Sequence, residues 1–363
     1  MEFDGVTVPE AWAEPARVVA REKFLPDVAL VGPRPDDPAS WIDRRTAPDA
    51  WLRAVYSDAA VAVQLDDGAL DIASKPADPF AVATSSCSAP GLVFAMLDLL
   101  DPQDGEVVLE IGTGTGWTAG LLATRVGARN VISVEVDPNV ATFARANLSS
   151  VGLDPDVVVG DGALGYPARA PYDRVHVSCG VTRIPYAWVE QTRPGGVIVL
   201  PWMPGWQTGH LARLTVEDGV ASGRFHGTSG FMLMRAQRPS EPPITGEPRV
   251  SASTLDARGL ASADEGLSLA IAGLLPDVRG HAVTSPDGTV RIAAREGDSH
   301  ALAVLSPRSA RAEVVQRGPR NLWDELEAAV HQWHAWGRPT PDRFGLTVTP
   351  QTQHVWLDSP RGA

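Results

Sequence analysis

Between residues 107 and 202, short runs of β-branched and aliphatic residues alternate with stretches of helical spacing. VVLEI (107–111), VISVEV (131–136), VVV (157–159), RVHVS (174–178) and GVIVLP (196–201) are apolar nearly throughout, as strands covered on both faces are. The stretches between them suit helices, and Pro138 fits the first turn of one over 138–151. Strands alternating with helices predict a doubly wound, Rossmann-like α/β core. After Pro201 the period changes to two: LARLTV, the turn Glu217-Asp218-Gly219 and VASGRF predict antiparallel strands at the sheet edge.

Upstream, residues 1–106 predict a helix over 9–22, Pro/Asp-rich loops, and a polar stretch from Thr84 to Ser88 that runs into an apolar helix over 91–100. The segment RPSEPPITGEPRVSAS (238–253) has little to bury and reads as a linker. Residues 1–238 are therefore expected to form one domain with an N-terminal cap of about 1–106. Residues 239–363 are expected to form a smaller α+β domain with strands TVRIAA, ALAVL, LTVTP and HVWLD and a helix from Asn321 to Trp336. Asn321 is its candidate N-cap, Asp324, Glu325 and Glu327 suit its early turns, and Gly337 and Pro339 end it. Leu322, Leu326, Ala329, Val330 and Trp333 recur at helical spacing and read as core.

Composition narrows the function. The chain has 363 residues, 44% of them hydrophobic, enough for one large or two ordinary domains. Lys and Arg number 31 against 44 Asp and Glu, a net charge of −13, which argues against a nucleic-acid partner. Cys87 and Cys179 are the only cysteines, so no disulfide framework is expected and a reducing compartment fits. The start carries acids where a signal peptide needs bases, and no run of about 18 apolar residues occurs. The expectation is a soluble cytoplasmic protein with no membrane partner.

The chemistry-bearing run is Glu110-Ile111-Gly112-Thr113-Gly114-Thr115-Gly116, after a strand and opening a helix. Glycines there let the backbone turn tightly and approach a ligand. The same run fits the dinucleotide pattern, so its neighbours decide. Glu110 precedes the glycines, Glu135 ends the next strand where a carboxylate can accept both ribose hydroxyls, and Asp161 with Gly162 ends the one after, where an adenine amino group can be met. A pyrophosphate would find Glu110 and bulky Trp117 poor company at the helix start. A sulfonium nucleoside such as S-adenosyl-L-methionine has no phosphate and suits these acids better. A dehydrogenase, or a glycine turn that only packs helix on strand, is the weaker reading.

TSSCSAPGLVFAMLDLL (84–100), VVLEIGTGTGWTAGLLA (107–123), VISVEVDP (131–138), VVVGDGALGYPARAPYDRV (157–175) and IPYAWVEQTRPGGVIVLP (184–201) together resemble the protein-L-isoaspartate O-methyltransferases. Arg21-Glu22-Lys23-Phe24-Leu25-Pro26 is similar to that family's N-terminal R-x-x-F-x-P. The resemblance implies an S-adenosyl-L-methionine-dependent carboxyl methyltransferase releasing S-adenosyl-L-homocysteine. It implies cofactor positions at Glu110, Gly112, Thr113, Gly114, Gly116, Glu135, Asp161 and Gly162. It places the active-site serine at Ser88 and the substrate positions at Thr84, Ser86, Ser88, Ile184 and Pro185, with no metal. Ser86-Cys87 departs from the family's usual Thr-Ile pair, and Trp117 from a common Tyr. The tail, GPRNLWDELEAAVHQWHAWGRPTPDRFGLTVTP and HVWLDSP, resembles the C-terminal domain of related enzymes of lanthipeptide and graspetide maturation. That likeness implies a ribosomally made, modified precursor peptide as partner and substrate. The added 125 residues are not expected in a housekeeping repair enzyme.

An aspartate carboxylate, with a reference pKa near 3.9, is almost wholly ionised at neutral pH, so no general base is needed. Attack on a sulfonium methyl joins an anion and a cation, so a dry, aligned site helps. Ser88 is expected to orient the carboxylate; for Ser86 and Thr84, capping the helix that follows is an equally open reading. The methyl ester would close to a succinimide and reopen to aspartate or isoaspartate. General repair of L-isoaspartyl proteins is the alternative, and a non-catalytic nucleoside-binding scaffold is the alternative of another class. His331 and His334 lack a third ligand and read as packing. Arg291, Arg295, Arg308, Arg311, Arg317 and Arg320 form a basic run that could receive an acidic peptide or simply be solvated. Cys179 lacks a partner histidine and is not expected to be a nucleophile.

Overall fold

The chain divides into two units that interleave in sequence: Met1–Cys179, Pro185–Leu200 and Thr215–Gly219 in the first, Gly180–Ile184, Pro201–Leu214 and Val220–Ala363 in the second. The computed structural model describes residues 3–34, 37–78, 80–240, 243–253, 255–261 and 264–360. Among them, no helix is long and apolar enough to cross a membrane.

The first unit runs α1 (Glu10–Val18), β1 (Val28–Val31), β2 (Ser40–Asp43), α2 (Pro48–Val55), β3 (Val61–Leu65), β4 (Ala83–Cys87), α3 (Pro90–Leu100), β5 (Val108–Ile111), α4 (Trp117–Val126), β6 (Val131–Glu135), α5 (Pro138–Ser150), β7 (Asp156–Val159), β8 (Tyr172–Val177), α6 (Tyr186–Glu190) and β9 (Thr192–Trp202), the last two residues of β9 being counted with the second unit. Strands β9, β8, β5, β6 and β7 lie side by side in that order, all parallel. The chain moves outward one way from β5 through β6 to β7 and returns on its other side with β8. The strand order therefore reverses at β5, and the crevice beyond the carboxyl ends there is where such folds hold ligands. A second, antiparallel sheet orders β2–β1–β3–β4. The expected strands of this core are all present within a few residues. The expected first helix is shorter, because Ala20 is extended and a 3₁₀ turn, Arg21–Phe24, follows it.

The second unit holds β10 (Gly209–Glu217), whose last three residues are counted with the first unit, β11 (Val220–Ser229), β12 (Arg249–Ser253), α7 (Ala257–Ala261), α8 (Glu265–Leu274), β13 (Arg279–Thr284), β14 (Val290–Glu296), β15 (Ser299–Leu305), β16 (Ala312–Arg317), α9 (Leu322–Ala335), β17 (Phe344–Val348) and β18 (Gln353–Leu357). Its strands order as β18–β17–β11–β10 and as β12–β16–β15–β14–β13. Two expectations need correction. The end of the supposed linker is strand β12, paired with β16 over five residues; Glu241 and Pro242 of that segment lie outside the described residues. A cut at 238 also separates β11 from β17, which are antiparallel neighbours, so the C-terminal strands complete a sheet begun before the cut. The α9 core residues are buried as spaced. Asn321, however, makes no cap bond, since its side-chain oxygen accepts from Arg249 Nε at 3.1 Å.

Candidate active site

Three glycines shape the loop between β5 and α4. Gly112, Gly114 and Gly116 have φ of +90°, +54° and +86°, values that a Cβ disfavours. Space forbids a side chain as well: a Cβ on Gly114 would stand 3.2 Å from the Ser86 carbonyl oxygen, and one on Gly116 3.2 Å from Ala144. The loop is thus pressed between β4 and α5, and the serine strand lies against the glycines.

Polar groups bind this loop to the neighbouring strand ends. Glu135, on β6, accepts from the Gly114 amide at 2.9 Å through Oε2 and from the Asp137 amide at 3.0 Å through Oε1. Burial raises its pKa while those amides oppose the shift. Each of its oxygens keeps a lone pair for a further donor. Asp137 caps α5, accepting from Asn139 and Val140 amides at 2.9 and 3.2 Å. Asp161 is exposed and accepts from the Ala163 amide at 2.9 Å, while the Gly162 carbonyl accepts from Trp188 Nε1 at 2.8 Å.

Glu110 behaves differently from the sequence expectation. It is fully buried; Ser133 Oγ donates to its Oε2 at 2.5 Å, and Thr113 Oγ1 lies 2.6 Å from Ser133 Oγ. Burial pushes its carboxyl up to about 8, against the Ser133 hydrogen bond. At neutral pH it is mostly a neutral acid that braces Thr113 through Ser133, so it offers little negative charge to a ligand. Trp117 also departs from expectation: its indole is buried against Phe3 and Phe94, with Nε1 donating to the Val19 carbonyl at 3.0 Å. It faces the core and obstructs nothing at the helix start.

Ser88 follows β4, half-buried, and its hydroxyl has no protein partner among the described residues. Neither it nor Ser86 caps α3; Ala89 holds the N-cap position and the Gly91 amide donates to Asp58 at 2.9 Å. Thr84 is committed elsewhere, donating to Gln64 Oε1 and accepting from the Asp67 amide, both at 3.0 Å. Gln64 in turn donates to Asp137 at 3.1 Å, so Thr84 ties the serine strand to the start of α5. Ile184 is buried and its amide donates to Gln353 Oε1 at 2.8 Å. Pro185 is the N-cap of α6.

Three residues, Ser85, Val136 and Leu164, escaped the sequence reading, and a fourth, Arg21, entered it only as part of the Arg21–Pro26 segment. Ser85 is buried, its hydroxyl lacks a partner among the described residues, and it lies 3.9 Å from where a Gly114 Cβ would be. Strand alternation sets Ser85 and Cys87 on one face of β4 and Thr84 and Ser86 on the other, and that signal could have found it. Val136 and Leu164 are apolar yet 43% and 66% exposed beside Glu135 and Asp161. Arg21 is fully buried and donates to the carbonyls of Ala59, Cys87 and Ser88 at 2.9, 3.2 and 2.9 Å, and also to those of Val55 and Ser57. Its guanidinium carbon stands 5.2 Å from the Trp117 ring centroid.

Two further titratable groups, His176 and Cys179, are unsuited to base or nucleophile roles. Burial pushes His176 down to about 4 and the Cys179 thiol up to about 12. His331 and His334 are exposed on α9.

A family model described as protein-L-isoaspartate(D-aspartate) O-methyltransferase matches residues 40–221. Similar curated proteins of that name include one from Methanopyrus kandleri, 42% identical over 152 residues, which are 40% of this chain and 66% of that protein. One from Archaeoglobus fulgidus is 48% identical over 116 residues, 31% of this chain and 54% of that one. One from Pyrococcus horikoshii is 39% identical over 153 residues, 41% of this chain and 69% of that one. The chain thus spans between about half and two thirds of the length of the curated relatives it matches. A solved structure described as protein-L-isoaspartate O-methyltransferase shares the fold over 97% of this chain and 96% of its own, with a TM-score of 0.56 and 21% identity. The shared fold thus takes in the C-terminal part of the chain.

Proposed function

Because the chain belongs to the protein-L-isoaspartate O-methyltransferase family, we propose that it methylates a side-chain carboxylate of an aspartyl or isoaspartyl residue in a polypeptide. Its fold is the Rossmann-like α/β fold of S-adenosyl-L-methionine-dependent methyltransferases, and S-adenosyl-L-methionine, which supplies an electrophilic sulfonium methyl when bound, is the cofactor of that class.

The observation that carries the reading is the glycine loop fastened to Glu135 and faced by a buried, unpartnered Ser85 hydroxyl. Such a cradle fits a nucleoside with a polar tail. Gly112, Thr113, Gly114, Gly116 and Gly162 form its backbone wall. The spare lone pairs of Glu135 accept ribose hydroxyls, Asp161 accepts from the adenine amino group, and exposed Val136 and Leu164 gain cover from the base. Glu110 holds the loop from beneath as a neutral acid. The substrate carboxylate is ionised without help, which agrees with a neutral His176 and a protonated Cys179 nearby in sequence. The Ser88 hydroxyl, held by Arg21 through the strand backbone, donates to that carboxylate and aligns it, with Ser86 beside it.

For the substrate itself we favour an aspartate of a ribosomally made, constrained peptide, whose ester loses methanol as the next residue's backbone nitrogen attacks the side-chain carbonyl and closes a succinimide, which one water then opens to aspartate or isoaspartate. The C-terminal sequence pattern supports this, with the second unit as the part that selects the peptide. Repair of L-isoaspartyl proteins is the second reading, favoured by the names of the relatives. Mass spectrometry after incubating the full chain and S-adenosyl-L-methionine with either substrate decides. A methyl gain or water loss on a cyclised precursor, with an L-isoaspartyl hexapeptide left unchanged, is expected; turnover of the hexapeptide alone would overturn the peptide-maturation reading, and turnover of neither would overturn both.

A further inference from the structure

From Gly180 to Ile184 the chain belongs to no helix or strand, only to isolated bridges with Leu233 and Trp202, yet its backbone is fully occupied. The Gly180 amide donates to the Met232 carbonyl at 2.9 Å and its carbonyl accepts from the Met234 amide at 2.8 Å; the Val181 amide donates to Pro201 and its carbonyl accepts from Met203, at 3.1 and 2.7 Å. Gln237 holds the next two residues. Its Oε1 accepts from the Thr182 and Arg183 amides at 2.8 and 3.0 Å and from Thr182 Oγ1 at 2.9 Å, while its Nε2 donates to the Arg183 carbonyl at 2.7 Å. Gln353 closes the segment, Oε1 accepting from the Ile184 amide at 2.8 Å and Nε2 donating to the Thr182 carbonyl at 3.1 Å, which Trp202 Nε1 also reaches at 3.2 Å. Every amide of the segment, and every carbonyl up to Arg183, thus has a partner, and all these partners lie in the second unit.

The segment so held presents one exposed side chain. Gly180, Val181 and Ile184 are buried and Thr182 is half-buried, whereas Arg183 is exposed, and its guanidinium has neither an acid nor a carbonyl partner among the described residues. Ile184 and Pro185, the substrate positions implied by the family resemblance, follow it directly. The Ile184 amide is spent on Gln353 and a proline has none to give, so the free polar group at this place is that of Arg183. It follows Val177, the end of β8, by six residues, at most about 20 Å of chain. A solvated arginine gains nothing from a fixed backbone. A binding one does, because a fixed side-chain direction lowers the ordering cost of association.

We propose that Arg183 is a specificity-determining residue whose guanidinium pairs with a second carboxylate of the substrate polypeptide, on a residue beside the methyl-accepting one. Its planar fork of donors matches a carboxylate in two parallel bonds. A phosphate would match it as well, but one arginine in a chain of net charge −13 is a poor seat for a phosphodiester backbone. The methyl-accepting carboxylate is the wrong partner, because a charge-assisted pair of bonds on its oxygens would draw off the electron density that attack on a sulfonium methyl needs. The inference rests on the polypeptide substrate proposed above.

Fluorescence anisotropy with the full chain tests it without methyl transfer. Two fluorescein-labelled series are used, backbone-cyclised octapeptides around one aspartate and linear hexapeptides around one L-isoaspartate, each with glutamate, glutamine or lysine on both sides of that residue. In whichever series binds, the parent chain is expected to hold the glutamate peptide about three- to fivefold more tightly than the glutamine peptide, by a margin that shrinks in salt. Arg183→Gln should erase the margin. Arg183→Glu should turn it toward the lysine peptide, a reversal that a poorly folded variant cannot produce. Equal binding of the three peptides by the parent, or a glutamate preference that survives Arg183→Gln, overturns the inference and leaves the proposed function standing. Binding of neither series overturns the polypeptide reading and the inference with it.

Discussion

In the first unit every residue of β5 and β6 is buried, whereas along β15 in the second unit buried and half-buried residues alternate without exception. A parallel sheet covered on both faces can meet a ligand only at its strand ends, so its polar groups gather in the loops there. An antiparallel sheet covered on one face offers the other, and its chemistry lies in rows across strands. The consequence for recognition is large. A strand-end site is nearly continuous in sequence, as Glu110 to Gly116 is. A sheet face takes one residue per strand and spreads the cross-strand neighbours Arg279, Arg295, His300 and Arg317 over almost forty positions. The two regions should therefore respond to different injuries.

The strand-end site depends on its frame, and the largest effect is expected there. Arg21→Met would leave the carbonyls of Val55, Ser57, Ala59, Cys87 and Ser88 without their buried donor. Breaking a buried charged network of this kind costs about 3–5 kcal/mol, read as a lower urea midpoint. A loss below about 1 kcal/mol would show that the arginine is not what holds β4 in place. Next in size is Glu135→Ala, which removes the acceptor of the Gly114 amide and two lone pairs facing the crevice. Calorimetry should show S-adenosyl-L-methionine binding weakened about 10- to 100-fold, or about 1.4–2.7 kcal/mol; unchanged affinity would show that Glu135 does not hold the ribose.

The same contrast explains what could be read from sequence. The core strands of the first unit were legible because near-continuous apolar runs separated by helical spacing admit few other folds. The glycine loop was legible because φ above zero and close approach both demand glycine. What stayed hidden depends on burial. Glu110 reads as an anion until its depth and the Ser133 bond make it a neutral brace. Arg21 reads only as the first residue of the Arg21–Pro26 segment until five carbonyls converge on it. Trp117 reads as an obstruction at the loop until its indole is found among Phe3 and Phe94. In the second unit β12 was hidden because it is an edge strand, exposed at four of its five residues, so no apolar alternation announces it. The cut at 238 failed for the related reason that β11 finds its partner β17 over a hundred residues away.

The smallest effect per unit of perturbation is expected from pH, and it tests the burial of Glu110 directly. Its carboxyl is held at about 8 in the folded chain against an ordinary 4.5. Between those values the folded chain keeps a proton that the unfolded chain gives up, so stability falls as pH rises from about 4.5 to about 8, by at most about 1.4 kcal/mol per pH unit. Glu135 is raised too and acts with the same sign. His176 and His210, both pushed down to about 4 by burial, act oppositely: the unfolded chain takes up protons below about 6.5, so stability falls toward acid. Glu110→Gln should shrink the alkaline loss, leave a remnant from Glu135, and spare the acid side. Urea midpoints measured from about pH 5 to 9 would read this, and a variant whose midpoint falls with rising pH as steeply as the parent's would mean the Glu110 carboxyl is already ionised. Arg279→Gln, on β13, gives the control, because it titrates nothing in this range and should shift the whole curve without changing its slope.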